Sequence, residues 1–125
     1  MRLNGENCSI IFSGTLNKEL FAEYIKTQLK PCLKPDDILL LDNSSVHKSK
    51  LVLETLAACK INYLFLPRYS PDLNPIEFLW AFVKSILRKL KARTSEKLIQ
   101  AVAFAFDCVQ IEYIENWYKH CGYNV

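Results

Sequence analysis

The sequence predicts an α/β fold built on parallel strands, and three observations carry that prediction. Ile38-Leu39-Leu40-Leu41 is a run of four aliphatics closed by Asp42, which reads as a strand ending in an acid. Ile61-Asn62-Tyr63-Leu64-Phe65-Leu66 reads as a second strand. Between them, Val46, Leu51, Leu53, Leu56 and Ala57 give a helical segment its apolar positions. Strand, helix and strand of these lengths make a βαβ unit, whose crossover is expected to be right-handed. The unbroken aliphatics of the first strand, in place of alternation, predict burial on both sheet faces under helices.

The remaining elements follow in order. Residues 8–13 (Cys-Ser-Ile-Ile-Phe-Ser) read as a short strand, and Ser13-Gly14 as a turn. Asn17 is placed to cap a helix through about Lys30, with Leu20, Phe21, Tyr24, Ile25 and Leu29 on one face. Pro31 and Pro35 end it, and Asp36-Asp37 open the strand to Asp42. Ser44 or Ser45 is expected to cap the next helix, to about Lys60. After the second strand, Pro67-Arg68-Tyr69-Ser70-Pro71-Asp72-Leu73-Asn74-Pro75 delivers Glu77 into the first turn of a further helix. There Ile76, Leu79, Trp80, Val83, Ile86, Leu87 and Leu90 form a buried stripe, while Glu77, Lys84, Arg88 and Lys91 share another face. Thr94 or Ser95 caps a helix carrying Leu98, Ile99, Val102, Phe106 and Val109. Tyr113-Ile114-Glu115-Asn116-Trp117-Tyr118 is expected to pack back as a short helix.

Composition limits the function. With 125 residues, half of them apolar, residues 1–125 are expected to form one domain with its own core. No apolar run reaches the ~18 residues of a membrane span, and the first residues lack the apolar core of a signal peptide, so a cytoplasmic protein is expected. The five cysteines are odd in number, scattered and without a C-x-x-C pair, which predicts reduced thiols and neither a zinc site nor a disulfide framework. A net charge of +3 says little about partners. Its distribution says more: Lys84, Arg88, Lys89, Lys91, Arg93 and Lys97 cluster with only Glu96 to offset them. Such a stripe suits a phosphate backbone, although a solvated helix face looks the same.

The candidate site residues each have two readings. Asp42 is either a ligand at a strand end or the start of an Asp-Asn turn. Glu77 is either a ligand or the third helical residue of a capping box, with Asn74 as cap and Pro75 first. His47 either works at the site, orienting a carboxylate or touching phosphate, or is a polar side chain turned to solvent. Asp72 belongs to its Ser-Pro-Asp turn, and His120 reads as incidental. Taken together, two carboxylates suit Mg²⁺, which needs only one or two beside substrate phosphate. Two such ions about 4 Å apart stabilise the attacking and leaving oxygens of phosphoryl transfer. No Gly-x-x-x-x-Gly-Lys loop or Gly-x-Ser-x-Gly elbow points to other chemistry.

Leu41-Asp42-Asn43 with His47-Lys48-Ser49, followed by Phe65-Leu66-Pro67-Arg68-Tyr69-Ser70-Pro71-Asp72-Leu73-Asn74-Pro75-Ile76-Glu77 and Trp80, resembles the catalytic domain of DDE transposases. The resemblance is to the mariner-related branch that includes many bacterial insertion sequences. It extends more loosely to Asn116-Trp117 and His120-Cys121-Gly122-Tyr123. The interval between Asp42 and Glu77 is the family's usual one. Arg68 stands where the family often has a second proline, and adds positive charge near the acids.

The resemblance implies a ribonuclease H-like fold, a mixed sheet flanked by helices, with Asp42 and Glu77 as the second and third acids of a triad. It implies Mg²⁺, with Mn²⁺ as substitute, and cleavage and strand transfer at transposon ends and target DNA. Water attacks first and a freed 3′-OH later. Lys84, Arg88, Lys91, Arg68 and His47 are the expected DNA contacts, and the setting is a nucleoid-associated one. In the family the first Asp lies upstream of the strand matching residues 8–13. Residues 1–125 are therefore expected to lack the N-terminal central strand, its acid and an upstream helix-turn-helix region. Asp36 and Asp37 lie roughly 16–20 Å along the strand from Asp42, too far to substitute. Glu6 and Asp72 offer no convincing replacement. The chain is thus expected to be inactive alone, with an open strand edge that invites self-association or a partner chain. The alternative expectation is a non-catalytic fragment that binds DNA or transposase. A nuclease for RNA in hybrids is disfavoured by the specificity of residues 67–77.

Overall fold

The βαβ unit forms where the sequence places it. The structure, a computed structural model, describes Met1–Val125. Strands β1 (Ile38–Leu41) and β2 (Asn62–Phe65) pair in parallel, with Ile38 opposite Asn62 and Leu41 opposite Phe65. The chain divides into two compact units, one of residues Phe12–Pro71 and one of Met1–Ile11 with Asp72–Val125. Both strands lie in the first.

In that unit Asn17 caps helix α1 (Lys18–Tyr24), its side-chain oxygen accepting from the Leu20 N–H at 2.8 Å. The helix runs on through a π-helical turn, Ile25–Leu29, into a last short piece, α2 (Lys30–Cys32). Pro31 explains the wide turn, because it has no N–H to give and its ring crowds the carbonyl four residues back. Pro31 therefore sits inside the final turn, and the helix ends at Leu33. Helix α3 (Lys50–Ala58) joins the strands. It begins later than Ser44 or Ser45, capped by the Ser49 hydroxyl, because residues 45–48 form turns. At its far end Lys60 takes a left-handed φ of 54°, and Lys60 and Ile61 donate to the Ala57 and Leu56 carbonyls. That pairing closes the helix and aims the chain into β2.

The core of this unit is Ile25, Leu41, Val52, Leu56 and Ile61, with Phe21, Leu29, Leu33, Leu39 and Phe65 packed on it. Leu39, Leu41 and Phe65 alternate onto the covered face. The expected burial of both sheet faces does not hold. Ile38 is 64% exposed and Leu64 58%, both on the opposite face, because α1 and α3 cover only one side of a two-stranded sheet. The architecture is α/β, with a sheet smaller than expected. Residues 8–13 form no strand, and Ile10, Ile11 and Phe12 stay exposed. Their composition favours a strand, but a strand exists only where a neighbour takes its hydrogen bonds.

The second unit is helical. A 3₁₀ turn (Pro71–Leu73) leads into α4 (Ile76–Leu90), followed by α5 (Ser95–Asp107) and α6 (Ile111–His120). Leu79, Val83 and Ala105 form its core with Ile76, Ile86, Leu87, Phe106, Val109 and Trp117 around them. Thr94 caps α5, accepting from the Lys97 N–H at 3.1 Å. The aromatic α6 does pack back: Trp117 and Tyr113 lie against Phe82, and Phe78 sits between Trp117 and His120. No helix is long and apolar enough to cross a membrane. Cys59, Cys108 and Cys121 carry free thiols as expected, whereas Cys8 and Cys32 are disulfide-bonded, against that expectation.

Candidate functional site

Asp42 follows the last residue of β1, at the carboxyl edge of the parallel pair, where ligands of open α/β sheets bind. The backbone there is held on both sides. The Leu66 N–H donates to the Leu41 carbonyl at 2.8 Å, and the Asn43 side-chain amide donates to the Leu66 carbonyl. The loop after β1 is thereby tied to the end of β2.

The carboxylate itself is fixed through one oxygen. Oδ1 accepts the Ser44 N–H at 3.0 Å and lies 2.7 Å from His47 Nδ1. Neither contact touches Oδ2. Partial burial pushes the Asp42 pKa up, the largest single influence, but hydrogen bonds from the Ser44 backbone and side chain and the His47 charge and hydrogen bond together outweigh it. The net shift is downward, so the carboxylate is ionised at neutral pH. His47 is steadied by the Phe21 ring, 4.8 Å away between centroids. Both readings of Asp42 therefore hold at once: it makes the turn and keeps an oxygen open.

Glu77 lies in the other unit, in the first turn of α4, where a helix end favours negative charge. The capping box does not form. Pro75 occupies the cap with helical angles, no side chain caps this end, and the Glu77 carboxylate has no hydrogen-bond or ion-pair partner. Glu77 and Phe78 instead turn their N–H groups to the Asn74 and Pro75 carbonyls, both at 3.1 Å. The turn before the helix is braced from the C-terminus, where the Tyr123 hydroxyl donates to the Leu73 carbonyl at 2.8 Å. Tyr123 and Asn43 support the acids, yet neither carries a chemical signal of its own in the sequence.

Lys84 and Arg88 stand exposed on α4, on the face predicted. Lys91 leaves that face. It is the residue after the helix, in a left-handed conformation with φ 52°. Arg68 is exposed beyond β2 in the unit of Asp42 and His47, next to Tyr69, which is 97% exposed with φ 56°. A bulky aromatic held outward in the left-handed region has no packing role, and Tyr69, like Tyr123 and Asn43, carries no chemical signal of its own in the sequence. No three His, Cys, Asp or Glu side chains gather into a metal-binding group. What the structure offers a hard cation is one open oxygen on Asp42 and the unpartnered carboxylate of Glu77, both suited to Mg²⁺ by donor type.

Residues 1–99 match the family described as DDE superfamily endonuclease, a span that includes both acids. The chain is 22% identical to the Tcb1 transposase of Caenorhabditis briggsae over 82% of its own length and 39% of that protein's. It is 30% identical to the Tcb2 transposase of the same nematode over 59% of this chain and 27% of the relative. With the Tc3 transposase of Caenorhabditis elegans it shares 44% identity over 37% of its length and 14% of the relative's. The chain thus covers well under half of each of these relatives. They are nematode proteins, so the bacterial placement within the branch gains nothing from them. The chain belongs to the DDE superfamily of endonucleases.

Proposed function

We propose that this chain works in metal-dependent DNA cleavage and strand transfer during transposition, within a ribonuclease H-like catalytic domain to which residues 1–125 belong. One observation carries the reading. Asp42 and Glu77 each end a regular element with carboxylate oxygen that the fold leaves open. Asp42 and Glu77 are the residues that would hold Mg²⁺, or Mn²⁺ in its place. When bound, the cation supplies positive charge at the attacking and leaving oxygens of a phosphodiester. His47 is assigned to orienting Asp42 rather than to phosphate, because its Nδ1 is engaged with Oδ1. Lys84, Arg88, Lys91 and Arg68 are assigned to DNA phosphates, which makes binding steeply salt-dependent.

The test is nicking of supercoiled plasmid with Mg²⁺ or Mn²⁺, in the native chain and in Asp42→Asn and Glu77→Gln. Metal-dependent nicking lost in both variants supports the assignment of both acids and overturns the expectation that the chain is inactive alone. Salt-sensitive DNA binding that ignores both substitutions, without nicking, favours a binding fragment instead. The exposed face of β1–β2, with Ile38 and Leu64, supports a further proposal of self-association or a covering partner segment. Concentration-dependent sedimentation that Leu64→Lys diminishes is the expected result, and a monomer at all concentrations would refute it.

A further inference from the structure

The corner where α4 passes to α5 holds an open cavity of about 530 Å³, which no part of the acid site uses. Lys91, Arg93, Lys97 and Gln100 supply its polar lining, and Leu90, Ala92, Ala101 and Phe104 its apolar one. Lys97, Gln100, Ala101 and Phe104 recur at three- and four-residue spacing, so one face of α5 forms a wall. None of the three cations has an ion-pair partner, and Glu96, their nearest acid in sequence, does not line the cavity. Phe104 is 53% exposed, a large ring left in water where a helix surface would ordinarily carry a polar residue.

We infer that this corner binds a single-stranded stretch of DNA, with phosphates on Lys91, Arg93 and Lys97 and a base stacked on Phe104. The inference rests on the proposed DNA function and names the form of DNA that this corner takes. A duplex presents phosphates and sugars outward with its bases already stacked, so it could use the cations but not the ring or the apolar floor. An unpaired strand uses all three, since every base has a face that stacks on an aromatic side chain. The volume falls within the range of small-ligand sites, about 300–1,000 Å³, which admits a nucleotide. An acidic protein segment matches the charge alone and finds only a short apolar floor. Lys91 supplies a second, independent sign. Its left-handed φ is the position where glycine usually ends a helix, so a lysine there presents a cation at a conformational cost.

The test uses the whole chain and fluorescence anisotropy with a labelled oligothymidylate, a duplex of equal length and a labelled polyglutamate, over a salt series. Phe104→Ala should weaken oligothymidylate binding about tenfold, as expected for one lost base stack, and duplex binding less than about twofold. Arg93→Gln with Lys97→Gln should lower the single-strand salt slope by about 1.4. Lys91→Gly should weaken binding while raising the melting temperature by a few degrees, which separates a binding role from a structural one. If Phe104→Ala affects both DNA forms alike, or neither, while the duplex still binds, the inference fails and the DNA reading stands. If neither DNA form binds, both fail. Polyglutamate binding as tightly as oligothymidylate with the same Phe104 dependence would assign the corner to an acidic peptide and overturn the inference.

Discussion

Asp42 and Glu77 are both acids at the ends of regular elements, yet their surroundings are opposites. Around Asp42 the chain makes a backbone bond from Ser44, an ion pair with His47 and a tie from Asn43 to the next strand. Around Glu77 it makes no side-chain hydrogen bond or ion pair, and the preceding turn is braced by Tyr123. A strand end leaves a flexible loop behind it, so a carboxylate there needs local partners to hold one orientation. A helix start fixes its own backbone and orients the first turn without them. The two elements reach the same outcome, an acid with open oxygen, by different means.

Substitutions can sharpen that contrast. The largest effect is expected from Leu56→Ala, which empties a fully buried position in the core of the Asp42 unit. It should cost about 2–5 kcal/mol in urea unfolding. Removing the remote braces should cost less, about 1 kcal/mol each. Asn43→Ala should loosen the loop at Asp42, and Tyr123→Phe the turn before Glu77, each seen as faster amide exchange in its own unit. Equal exchange changes in both units from either substitution would break the comparison.

The smallest effect concerns pH. The lowered Asp42 pKa means its contribution to stability is complete above the ordinary carboxylate pKa and is lost as pH falls through the lower folded value. His47→Ala removes two of the influences that lower it. The Asp42 carboxyl titration, followed by NMR, should then move upward, and the loss of stability on acidification should become smaller and be complete at higher pH. An unchanged titration would show that the His47 contact does not persist in solution.

The βαβ unit is legible in the sequence because hydrophobic spacing and the Asn17 cap are local signals, and so are Ile76, Leu79, Val83, Ile86 and Leu87 of the α4 stripe, whereas Trp80 and Leu90, expected in it, are exposed. What is illegible depends on side-chain competition or distance. The late start of α3 follows from turns at residues 45–48, after which the Ser49 hydroxyl takes the cap. The capping box is suggested by residue types, yet Pro75 takes the cap position itself and leaves Glu77 bare. The Tyr123 brace joins residues far apart in the chain, where no periodicity can reveal it. Residues 8–13 have strand composition, but pairing is a property of two segments and composition describes one. The acids themselves are legible because each follows a clear element boundary; their chemical freedom is a structural finding.

The most direct test of the central claim is Mn²⁺ titration followed by paramagnetic broadening of backbone amide signals. Broadening should centre on the residues next to Asp42 and Glu77 and be lost locally in Asp42→Asn and in Glu77→Gln while the fold persists. Broadening that centres on other acids such as Asp36 and Asp37, or that survives both substitutions, would contradict it.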